Sequence, residues 1–126
     1  MRFEDLVSQY KAGRQDFSEI DLVGDFELTV YRGGMQWSSR RWQGTVDLCG
    51  IDLQHATLYR VDLGRVDLSQ ANLAGANLTE CSLIGTKLIG ANLSGANLTR
   101  TCLHKAVIDE QTVVDPKWRL VWQILN

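Results

Sequence analysis

A chain of 126 residues that is 44% hydrophobic and 22% charged is long enough for one domain and too apolar to stay disordered. A formal net charge of −2 and a pI near 5.6 exclude, on composition, both a polycationic nucleic-acid binder and a strongly acidic mimic. No stretch reaches the roughly 18 apolar residues that a membrane-spanning helix needs.

The opening MRFEDLVSQYKAGR lacks the apolar run of a secretory signal, so the expected location is the cytoplasm. Cys49, Cys81 and Cys102 are widely spaced and odd in number, which predicts reduced structural residues rather than a disulfide framework or a zinc site. In chain order, the first element is a helix over residues 1–13. Phe3, Leu6, Val7 and Tyr10 share one helical face, Glu4 and Asp5 suit the first turn, and Gly13 suits the stop.

Residues 15–22 hold two short similar units, Gln15-Asp16-Phe17 and Ile20-Asp21-Leu22. Residues 24–45 break the pattern. Phe26, Leu28 and Val30 alternate as in a strand and Gly33-Gly34 reads as a turn, predicting an insertion or irregular coil that contains a β-hairpin. Within it Tyr31, Arg32, Trp37, Arg40, Arg41 and Trp42 combine aromatic rings with positive charge. That composition fits a protein-binding hot spot and stacking on single-stranded nucleic acid, and fits best tryptophans that pack onto the first coils and fill the irregular end.

Residues 46–113 repeat with a period of five. Leu48, Leu53, Leu58, Leu63, Leu68, Leu73, Leu78, Leu83, Leu88, Leu93, Leu98, Leu103 and Ile108 are thirteen consecutive matches. Two residues before each stands a smaller side chain, from Val46 and Ile51 through Ala71 and Ala76 to Ala106. Neither a helix nor a half-buried strand has this period. Each unit must therefore be a short extended segment, which points residues n and n+2 to one side, followed by a turn. Repeated segments and turns make coils, and coils that stack about 4.8 Å apart pair their backbones around one continuous core. After the repeats, Asp115-Pro116 suits a helix start, and Trp118, Val121, Trp122 and Leu125 share one apolar face over residues 115–126, predicting a cap on the last coil.

The recurring Ala-Asn-Leu-x-Gly, as in Ala71-Asn72-Leu73-Ala74-Gly75, resembles the pentapeptide-repeat family. The segments YKAGRQDFSEIDL and DPKWRLVWQILN are similar to the ends of cyanobacterial members. The resemblance implies an all-β solenoid, a right-handed quadrilateral β-helix with four pentapeptides per coil, here with N- and C-terminal α-helical caps on a single domain. It also implies four columns of leucines, one of them Leu48, Leu68, Leu88 and Ile108.

No nucleophile motif, phosphate loop or dinucleotide fingerprint is present. His55 and His104 are the two histidines and fall on different faces, so they predict no metal site and no catalytic base. Asp47, Asp52, Asp62 and Asp67 recur at an outward position that tolerates Asp or Asn, and Arg60, Glu80 and Arg100 form a column of alternating sign. Outward Ile84 and Ile89 offer a second apolar patch. The expectation is a non-enzymatic monomer without cofactor that binds a protein partner or acts as a scaffold, away from membranes and without direct nucleic-acid contact. The alternative, from the resemblance, is a DNA-mimicking protein that interacts with gyrase.

Overall fold

The computed structural model describes residues 1–22, 24, 28–31, 34–37 and 46–119, with residues 28–31 and 34–37 described by their backbone. Helix α1 spans Phe3–Lys11 and buries Leu6 and Val7 in the main core, while Phe3 and Tyr10 pack against it. The Tyr10 hydroxyl donates to the Cys49 carbonyl at 2.6 Å, which fastens α1 to the first regular repeat. Strands β1 (Leu28–Tyr31) and β2 (Gly34–Trp37) form an antiparallel hairpin, as expected from the sequence.

From residue 46 onward the backbone pairs in parallel with itself, 20 positions on. Strand β3 (Val46–Asp47) pairs with β4 (Val66–Asp67), and bridges run from Asp52 to Asn72 and from Asn72 to Asn92, from Thr57 to Asn77 and on to Asn97, from Asp62 to Ser82 and on to Cys102, and from Asp67 to Lys87 and on to Val107. A spacing of 20 in a chain that repeats every five puts four units in each coil. The twelve leucines of the series stack in four columns and are 0–3% exposed. Ile108, in the last coil, is only partly buried.

The residue before each leucine has a local task. Asp16, Asp47, Asp52, Asp62, Asp67, Asn72, Asn77, Asn92 and Asn97 each accept the backbone N–H two residues on, at 2.9–3.1 Å. The repeat does not merely tolerate Asp or Asn there; the side-chain oxygen fixes the turn. The chain then passes through a left-handed corner, with φ of 55° at His55, 58° at Arg60 and 68° at Gly75. A Cβ at Gly75 would also meet the His55 imidazole, which would have to shift. Where a hydroxyl occupies the small inward position it is satisfied: Thr86 Oγ1 donates to the Leu63 carbonyl at 2.7 Å and Thr101 Oγ1 to that of Leu78 at 2.8 Å.

Both ends depart from the 20-residue step. Asp16 bridges Asp52 and Asp21 bridges Thr57, so Phe17 joins the Leu53 column and Leu22 the Leu58 column, 36 positions apart in sequence. At the other end β5 (Asn92–Leu93) pairs with β6 (Val113–Val114), a step of 21, and Val114 takes the core place. Residues 116–119 form a helical turn, with the Trp118 and Arg119 N–H groups on the Asp115 carbonyl. Trp118 packs partly buried against the core; Val121, Trp122 and Leu125 lie outside the described residues.

Candidate interaction surface

The columns fill the interior with leucine side chains, so recognition must use the outside or an excursion from the coil. One excursion is large. Leu58 and Leu68 are ten positions apart, while Leu22 and Leu48, in the same two columns, are 26 apart. The chain between them is 16 residues longer than the coil needs. It replaces the single unit that would stand beneath Leu63, Leu83 and Leu103.

The β1–β2 hairpin lies in this excursion. Its register sets Leu28 opposite Trp37, Thr29 opposite Gln36, Val30 opposite Met35 and Tyr31 opposite Gly34. Among the sequence-derived candidates, Tyr31 is in β1 and Trp37 in β2. Arg32, Arg40, Arg41 and Trp42 lie outside the described residues.

A second cluster was not anticipated. Asp47, Cys49 and Asp67 bring two carboxylates and a thiol within 4.8 Å of one another. Burial pushes the Cys49 thiol up to about 12, and hydrogen bonds to Asp47 and Asp67 add to the effect. The sulfur is thus a protonated donor at neutral pH, relieving repulsion between carboxylates stacked one coil apart. Burial also raises the Tyr10 hydroxyl beside it, with the charge of Asp47 contributing. The signal for this cluster is an Asp-x-Cys with an Asp 20 positions beyond the first, legible only once the coil length is known.

The remaining candidates are dispersed. His55 follows the Leu53 column and His104 the Leu103 column, on different faces. Arg100 and Glu80 approach to 3.7 Å with side-chain exposures of 70% and 35%, a geometry that contributes little stability. Ile84 and Ile89 are half-buried. No helix among the described residues is long and apolar enough to cross a membrane.

Comparison with known proteins agrees with the repeat geometry. The sequence profile described as pentapeptide repeats (8 copies) matches residues 76–108. The chain is 32% identical to alr5209, a pentapeptide-repeat protein from Nostoc PCC 7120 of known crystal structure, covering 89% of this chain and 84% of that one, with a TM-score of 0.49. It is 28% identical to HetL of Nostoc sp. strain PCC 7120, a pentapeptide-repeat protein involved in heterocyst differentiation regulation, over 72% of this chain and 37% of HetL, with a TM-score of 0.39. A pentapeptide-repeat protein of the Arabidopsis thaliana thylakoid lumen is 19% identical over 91% of this chain and 79% of its own, with a TM-score of 0.42. No curated protein matches. On the identity to alr5209 and the repeat profile, the chain belongs to the pentapeptide-repeat family.

Proposed function

We propose that this chain is a non-enzymatic interaction module. In this reading it is a right-handed quadrilateral β-helix with helical ends that displays residues 24–45 to a protein partner. The observation that carries the reading is the 16-residue excess in one coil. The excess concentrates Tyr31, Arg32, Trp37, Arg40, Arg41 and Trp42, the residue types enriched at binding hot spots.

The test replaces residues 25–45 with a copy of residues 61–65, a single five-residue unit. The shortened protein is expected to keep its melting temperature within about 5 °C, as for a change that leaves the core intact, and to lose partner capture in pull-downs from the source cell. Trp37→Ala with Arg41→Ala should lose capture in the same way. Undiminished capture by either variant rejects the reading, and so does a collapse of the melting temperature that shows the tryptophans to be structural.

The same reading expects no inhibition of DNA gyrase supercoiling at micromolar protein. The outward columns that begin with acid do not continue so: Asp47 and Asp67 are followed by Lys87 and Val107, and Asp52 by Asn72 and Asn92. A duplex-like line of charge would have to persist along the axis. Inhibition that disappears on substituting Asp47, Asp62 or Asp67 would favour the DNA-mimic alternative instead.

A further inference from the structure

We propose that Asp109 and Asp115 form a two-point stop on the last coil, substituting side-chain oxygens for backbone carbonyls at successive corners. This inference is independent of the insertion. On the face of the Leu48 column, successive corner amides donate to the coil that follows: Gly50 N to the Ser69 carbonyl at 2.9 Å and Gln70 N to that of Ile89 at 2.8 Å. The next donor is Gly90 N, and the residue in register is Asp109. Its side-chain Oδ1, not its carbonyl, accepts the bond at 3.1 Å. The released Asp109 carbonyl receives Thr112 N at 3.2 Å and closes a turn.

The adjacent face repeats the exchange. His55 N donates to the Ala74 carbonyl and Gly75 N to that of Ser94, both at 2.9 Å. Gly95 N then meets both carboxylate oxygens of Asp115 at 3.2 Å. The Asp115 carbonyl is freed to accept Trp118 N at 3.0 Å and Arg119 N at 3.1 Å, which starts the helical turn. Both residues therefore satisfy the coil beneath; after Asp109 the chain still pairs with it through β6, and after Asp115 it leaves the ladder. Asp109 also accepts Gln111 N at 3.1 Å, and Thr112 N and Thr112 Oγ1 at 3.0 Å each.

The hydrogen bonds, that from Gly90 first, hold the Asp109 carboxyl below its ordinary 3.8. Burial opposes these hydrogen bonds, and the Thr112 hydroxyl and the Gln111 and Thr112 amides add to that of Gly90. Because the folded value is the lower one, the stop is fully engaged above pH 3.8 and is lost as pH falls through the folded value.

Amide exchange followed by NMR tests the assignment. Asp109→Ala is expected to speed exchange at Gly90 by about tenfold and leave Gly95 unchanged, and Asp115→Ala to do the reverse, as for loss of one charge-assisted hydrogen bond. Asp109→Asn, which keeps an acceptor oxygen, should largely restore protection at Gly90. In the wild-type protein the Gly90 amide shift should follow an acid titration with a midpoint below 3.8, while the Gly75 amide, bonded to a backbone carbonyl, should not. Unchanged exchange in both alanine variants overturns the stop. If those variants fail to fold, a Gly90 amide that ignores the wild-type titration overturns it equally.

Discussion

Leu78→Ala is expected to cost about 2–5 kcal/mol in denaturant melts, and the stacked geometry favours the upper part of that range. Leu78 is fully buried between Leu58 and Leu98 in its column. In most cores, neighbours relax into the space that a truncation leaves. Here the backbone is held on both sides: Leu58 N donates to the Asn77 carbonyl at 2.8 Å and Leu78 N to that of Asn97 at 2.9 Å. The coils cannot approach more closely than their hydrogen-bond spacing of about 4.8 Å, so the cavity stays open. Thr79→Ala, one residue along and outward, removes only a local hydroxyl bond to Asn77 and should change stability by no more than about 0.5 kcal/mol. A loss below that same small value for Leu78→Ala would contradict a close-packed interior.

The leucine columns were legible because a period of five leaves one arrangement that buries every fifth residue together. The hairpin was legible from Leu28 and Val30 alternating up to Gly33-Gly34. The features that depend on coil length were not. That Phe17 stacks over Leu53 requires knowing that one coil carries 16 extra residues, and nothing local to Phe17 reveals it. Asp47 and Asp67 could be placed in one column once the coil length was supplied. The thiol of Cys49, two residues after Asp47, joins them only when that column is drawn. Asp109 departs from the Asx pattern more quietly still. It stands after its apolar residue rather than before it, and its partner Gly90 lies 19 positions earlier in the chain.

Removing residues 115–126 is expected to yield dimers or larger assemblies that retain β-type circular dichroism. The truncation takes away three contacts together. Asp115 leaves the Gly95 amide, Arg119 Nη2 leaves the Thr112 carbonyl it reaches at 2.6 Å, and Trp118 leaves the core it packs against. Trp118 alone, as a large side chain, stands to contribute roughly 1.5–3 kcal/mol, reduced by its partial exposure. The consequence for association is larger than that for stability. Parallel coils present unpaired donors and acceptors at their ends, a template for another chain, and Val107 and Val113 already stand 44% and 49% exposed beside that end. Asp109 remains after truncation and still occupies the Gly90 amide. The freed edge is therefore that of Gly95 and of the core beneath Trp118. Static light scattering on the truncated protein decides the matter. A species that stays monomeric and melts as the full chain does would show that Asp115, Trp118 and Arg119 do not protect this end.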